Sequence, residues 1–143
     1  MTRIKVIIPD NNIAAVHIKV RIGDINYGNH VGNDSFVALI HEARLQWLQQ
    51  HNFTELDIAG TGLIMSDLAF EFKNESFYGD EISITLSAGE ISGVSFDLFY
   101  QLTTERNNET ILLAKAKSGM VCYDYQKKKV VAIPDVLKKM LQL

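Results

Sequence analysis

The chain predicts an α+β fold, one long helix followed by a run of antiparallel strands. Apolar residues recur at helical spacing over one long stretch only, Phe36 to Leu48. Before it, Ile13 to Ile22 alternates apolar and polar. After it come four strand-like runs whose connections are too short for a parallel crossover, which requires antiparallel neighbours. A chain of 143 residues with 47% hydrophobic content can bury a full core without disulfides or metal, so residues 1–143 are expected to form one domain.

Each element has its own signature. In the first strand Ala14, Val16, Ile18, Val20 and Ile22 share one side, while His17, Lys19 and Arg21 share the other. The strand is expected to end near Asp24. In the helix, Phe36, Ile40, Ala43 and Trp47 form an apolar stripe that Val37, Leu39 and Leu48 widen; Ser35, Glu42, Gln46 and Gln49 form a polar one. A helix this apolar is expected to lie under sheet. Asn33 or Asp34 is expected to cap its start, and His51 and Asn52 to end it. Phe53 to Gly62 reads as an irregular excursion. Leu63 to Lys73 is the next strand, with Ser66, Leu68, Phe70 and Phe72 on one face, and a turn at Phe77 to Asp80 leads into Ile82, Ile84 and Leu86. Val94, Phe96, Leu98, Tyr100 and Leu102 alternate along another strand, and Arg106 to Glu109 turns the chain into Ile111 to Tyr125. Lys127 to Lys129 reads as an exposed turn. Pro134 is expected at the first position of a short helix reaching Leu141.

Composition excludes several classes. A net charge of −3 lacks the cationic excess that phosphate neutralisation demands, so no nucleic-acid partner is expected. Cys122 stands alone between Val121 and Tyr123, which makes it a small buried strand residue and not a disulfide partner or a member of a zinc cluster. The opening run Met1 to Ile8 is too short for a secretory signal and no run reaches membrane-spanning length, so a cytoplasmic location and no membrane partner are expected.

The chemistry concentrates in Arg21 to Asn33, immediately before the helix. Glycines at Gly28 and Gly32 allow a tight turn, and the N-terminus of the helix beyond favours negative charge. Such a corner can hold an anion or polarise a carbonyl oxygen, with Asp24, Asn26 and His30 beside it. Asp24 can act as base or nucleophile, or can simply accept N–H bonds at the strand end. Asn26 can hold water or a carbonyl oxygen, or close an Asx-turn. His30 can carry a proton near neutral pH, or fix the turn.

The element order and this stretch together resemble the hotdog-fold acyl-CoA thioesterases of the 4-hydroxybenzoyl-CoA thioesterase family, in which a curved antiparallel sheet of about five strands wraps a long central helix. The family pattern runs roughly R-x-x-D-x-D-x-x-G-H-V-N-N, then an aromatic and E-A-R-x-x-W-L. Arg21, Asp24, His30, Val31, Asn33 and Glu42 to Leu48 match it; Phe77 to Ile82 and Val131 to Pro134 match later segments. Asn26 stands where many members carry a second acid, the nucleophile or general base, and Gly32 where they carry an Asn.

The resemblance implies hydrolysis of an acyl-CoA or acyl-carrier-protein thioester at a site shared between subunits of a homodimer or homotetramer. It implies no cofactor and no metal, coenzyme A being part of the substrate. Asp24, Asn26 and His30 are the expected catalytic residues. Main-chain N–H groups at Gly28, Asn29, Val31 and Gly32 are expected to bind the thioester oxygen, with Tyr27 lining the acyl pocket. Glu42, on the helix that supplies the carboxylate in other hotdog branches, and Asp67, on a strand that runs near the partner's site, are secondary candidates. Two rival functions remain open. Gly23 to Asn26 is similar to the start of the G-D-x-N-P-x-H motif of hotdog enoyl-CoA hydratases, with His30 one residue late, which suggests a lyase. The missing second acid suggests a non-catalytic acyl-CoA or acyl-carrier-protein binding module.

Overall fold

Strand alternation and the single long helix are realised almost as the sequence dictates. The computed structural model describes residues 2–142; Met1, the first residue of the opening apolar run, and Leu143 lie outside the described residues. The order is β1 (Asn12–Lys19), a 3-10 turn (Ile22–Asp24), α1 (Asn33–Gln50), β2 (Gly62–Phe72), β3 (Glu81–Ile91), β4 (Ser95–Arg106), β5 (Glu109–Asp124), β6 (Lys129–Val130) and α2 (Asp135–Met140). The strands form one curved antiparallel sheet ordered β1-β3-β4-β5-β2, with β6 on β5.

The concave face buries the apolar positions that alternation identified. Ile82, Ile84 and Leu86 on β3, Leu98, Tyr100 and Leu102 on β4, and Ala114, Ala116 and Cys122 on β5 are all sealed from solvent. Phe36, Leu39, Ile40, Ala43, Trp47 and Leu48 of α1 pack against them, so the helix is the core of the wrap. Val37 is the exception in the predicted apolar face: it is 36% exposed. The β4–β5 turn places Asn107 and Asn108 at φ 52° and 64°, the left-handed region that asparagine tolerates, which suits a two-residue hairpin.

Four expectations are corrected. The first strand stops at Lys19, because Asp24 accepts the Arg21 N–H (2.9 Å) and curls Ile22–Asp24 into a 3-10 turn, leaving Ile22 exposed. Gly32, not Asn33 or Asp34, is the N-cap of α1, and no side chain caps it. Pro134 sits at the N-cap of α2, one position before its first helical residue. Finally, β2 and β3 are not neighbours, since β2 pairs with β5 and β3 lies between β1 and β4. The eight-residue link from Lys73 to Asp80 crosses three strand spacings. Extended chain covers about 26 Å in that length and three spacings need only about 14 Å, so the crossing is easy.

A buried polar network ties α1 to the sheet. Arg44, 5% exposed, lies on the inner face of the helix; its Nε donates to Glu55 (2.7 Å) and its Nη1 to the Tyr100 hydroxyl (3.0 Å). The Tyr100 hydroxyl also bonds the Ser118 hydroxyl (2.7 Å), and the His41 ring meets the other Glu55 oxygen (2.6 Å). Burial alone would raise the Glu55 pKa, but the Arg44 hydrogen bond and charge, with His41, hold it below the ordinary glutamate range.

Candidate active site

The corner between β1 and α1 is built by short-range hydrogen bonds, then braced from outside. Asn26 closes an Asx-turn: its Oδ1 accepts the Gly28 N–H (2.9 Å) and its main-chain carbonyl accepts the Asn29 N–H (3.1 Å). The Asn26 N–H donates to the His30 carbonyl (2.9 Å), the Gly32 N–H to the Asp24 carbonyl (3.2 Å) and the Val31 N–H to the Ser76 carbonyl (2.8 Å). Asn29 takes φ 65°, which lets so tight a loop close.

These bonds revise the predicted oxygen-binding set. The N–H groups of Gly28, Asn29, Val31 and Gly32 all donate to partners among the described residues, so a substrate oxygen would have to displace those bonds. The donors left at the corner belong to the first turn of α1, beginning at Asn33, because the opening N–H groups of any helix lack intrahelical partners. The side-chain amide of Asn26 adds to them. With Oδ1 engaged, its NH₂ is the free end, and it lies beside the helix start: a Cβ built at Gly32 would be 3.6 Å from Asn26 Nδ2.

His30 faces the same place. Its Nδ1 lies 3.0 Å from the Val31 carbonyl, an acceptor only, so Nδ1 carries the proton and Nε2 keeps the lone pair. A Cβ at Gly28 would sit 3.2 Å from both His30 Nε2 and Asn26 Oδ1, so these two polar groups flank one glycine. Beside them is a hollow of about 270 Å³, walled on one side by His30, Val31, Asn33 and Phe36, and on the other by Phe72, Lys73, Asn74 and Glu75 at the end of β2. The Phe36 and Phe72 rings meet at 5.6 Å between centroids, giving the hollow an aromatic floor next to polar donors.

The remaining predicted residues fall elsewhere. Asp24, bonded to the Arg21 N–H, faces a separate groove between β1 and α1, of about 680 Å³, which Glu42 also lines. Glu42 accepts a bond from Gln46 one turn on (2.7 Å), as its polar stripe implies. Tyr27 stands out wholly in solvent, away from the hollow. Asp67, at a bulge in β2, pairs with Lys117 (2.6 Å) and accepts the Gly119 N–H (3.2 Å), and the Lys117 hydrogen bond holds its carboxyl below the ordinary range. It belongs to the strand pairing, not to this hollow. Cys122 is buried, and desolvation pushes its thiol up to about 11, which leaves it an inert packing group.

Asn33, Phe72 and the link from Lys73 to Ser76 were absent from the sequence-derived site. Asn33 carried a signal, as a matched position of the pattern. The link carried none, since its approach to the corner depends on β2 lying at the far edge of the sheet.

The fold is shared with proteins of known class. A curated relative, the acyl-CoA thioesterase YbgC of Haemophilus influenzae, is 24% identical over 124 residues, covering 85% of this chain and 88% of the relative. The solved 1,4-dihydroxy-2-naphthoyl-CoA thioesterase from Synechocystis superposes with a TM-score of 0.78 at 20% identity, covering 89% of this chain and 93% of that one. A 4-hydroxybenzoyl-CoA thioesterase variant solved with 4-hydroxybenzoyl-CoA superposes with a TM-score of 0.79 at 14% identity, covering 90% and 97%. The sheet-wrapped helix is therefore the hotdog fold. Residues 20–141, all but the opening strand and the last residues, match the family model of the thioesterase-like superfamily, and the chain belongs to that superfamily.

Proposed function

We propose that the protein is an acyl-CoA thioesterase that hydrolyses a thioester to a free acid and coenzyme A. The observation that carries the reading is one hollow lined by a helix start and by His30 over an aromatic floor, with the Asn26 amide beside that helix start. The thioester oxygen accepts bonds from the first-turn N–H groups of α1 and from the Asn26 NH₂, which stabilise the charge that builds on it. His30 Nε2 takes a proton from water as the water oxygen bonds to the carbonyl carbon. The C–S bond then breaks, and the same proton goes to the leaving sulfur. Asn26 has no proton-accepting role here, because an amide is not a base. Phe36 and Phe72 receive the acyl group.

The site is completed by a second copy of the chain. The hollow falls below the range of about 300–1,000 Å³ usual for small-molecule sites, and one flank is the end of β2. That strand has β5 as its only strand partner among the described residues, and past Leu63, whose N–H donates to the Glu55 carbonyl, its outer edge has no ladder, with Met65 and Phe72 exposed along it. Pairing two such edges would cover both residues and give each hollow a second wall. No cofactor enters the scheme. A cytoplasmic setting suits the lone free thiol of Cys122.

The test is thiol release over a panel of acyl-CoAs differing in chain length and in aryl character. Release with at least one member supports the reading, and none above the buffer rate with any member overturns it. The engaged Oδ1 of Asn26 favours one alternative, a binding module that holds acyl-CoA without consuming it; calorimetry showing tight binding with no turnover would select it. Loss of crotonyl-CoA absorbance without thiol release would select the hydratase-like lyase.

A further inference from the structure

One carboxylate outside the hollow gathers the segment that braces the corner. Asp80, at the end of the β2–β3 link, has a side chain 13% exposed, and its Oδ2 accepts the Ser76 hydroxyl (2.9 Å), the Phe77 N–H (2.9 Å) and Arg106 Nη2 (2.6 Å). Arg106, from the far end of β4, also donates to the Glu75 carbonyl (2.8 Å) and lies 4.9 Å over the Phe77 ring. The link is thus tied at Glu75, Ser76 and Phe77 by one acid and one guanidinium. The Asp80 main chain fixes the end of β1 as well, its carbonyl accepting the Val20 N–H (2.8 Å).

The grip reaches the hollow through Ser76, which is fully buried. The Ser76 carbonyl accepts the Val31 N–H (2.8 Å), and the Val31 carbonyl in turn accepts from His30 Nδ1 (3.0 Å). We infer that Asp80, clasped by Arg106, is a positioning residue: through Ser76 and Val31 it sets the His30 ring and the first turn of α1, and through Glu75 it holds the opposite wall. The clasp consists of directed, charge-assisted bonds, which fix geometry more tightly than packing alone. Its catalytic consequence rests on the thioesterase reading; the clasp itself does not.

The experiment compares the full chain with Asp80→Asn by amide hydrogen exchange and steady-state thiol release. Asp80→Asn keeps the shape but removes the charge that Arg106 binds. The Val31 amide is expected to exchange at least about tenfold faster while the Leu98 amide, central in β4, is unchanged, because local opening needs only the brace to loosen. kcat is expected to fall at least about tenfold with KM changed less than about threefold, since misplacement of reacting groups is costly while substrate contacts remain. If Asp80→Asn does not fold, Ser76→Ala, which removes one hydroxyl, is expected to give the same pattern at about threefold. Unchanged Val31 exchange in a folded variant, or Val31 and Leu98 quickening together, overturns the inference. A wild-type chain that releases no thiol but whose variant shows selective Val31 exchange keeps the clasp and removes the reaction.

Discussion

Gly28 carries no side chain at a point of the corner where one would press on two polar groups. A methyl there would stand 3.2 Å from Asn26 Oδ1 and from His30 Nε2, and both would have to give by a few tenths of an ångström. Gly28→Ala is therefore expected to lower kcat about tenfold while unfolding free energy stays within about 1 kcal/mol of wild type, as kinetics and urea titration would show. Equal loss of both would make Gly28 a folding residue only. At this scale the sequence was readable where side-chain chemistry sits beside a helix start, as for Asn26 and His30. It was not readable for free N–H groups: the Asx-turn of Asn26 and the distant Ser76 carbonyl consume the predicted donors. Nor does a turn have the alternation that would have shown Tyr27 pointing outward.

Among the elements, α1 is located by a cation inside the core. Removing Arg44 takes one partner from the Glu55 carboxylate, left with His41, and one from the Tyr100 hydroxyl, left with Ser118, so Arg44→Met is expected to cost about 1–3 kcal/mol in urea unfolding. The same pair gives a pH dependence. Because the folded pKa of Glu55 is lowered, its contribution is complete above the ordinary glutamate range and is lost as pH falls through the folded value. The loss of stability between about pH 6 and pH 3 is thus expected to be smaller in Glu55→Gln than in wild type, and parallel curves would contradict it. Helical spacing had already placed the apolar stripe of α1, but it gave no sign that Arg44 is buried, since its partner Glu55 lies in an excursion without periodicity. Likewise, alternation in β2 grouped Ser66, Leu68, Phe70 and Phe72, of which only Leu68 and Phe70 are partly buried against the core, and it did not tell which strand β2 pairs with. Only the sheet order makes the β2–β3 link a brace instead of a hairpin.

For the whole molecule, the open edge of β2 and the shallow hollow beside it point to the same assembly. Sedimentation is expected to show a dimer or a dimer of dimers. Met65→Lys, which puts a charge where an apolar edge residue is 44% exposed, is expected to shift the population to monomer and to lower thiol release at least about tenfold. A monomeric wild type of full activity would contradict the shared site. Fold class and family pattern were legible because they depend on the order of elements and on residues near one another in sequence; the shared site proposed above would instead depend on a second chain.

The most direct measurement of the central claim is coenzyme A release from the acyl-CoA panel by the wild-type chain and by His30→Gln, side by side. The predicted result is turnover by the wild type with at least one acyl group and a loss of about 10²-fold or more on replacing the ring, while both chains stay folded. Equal rates from the two chains, or no release by either, would contradict it.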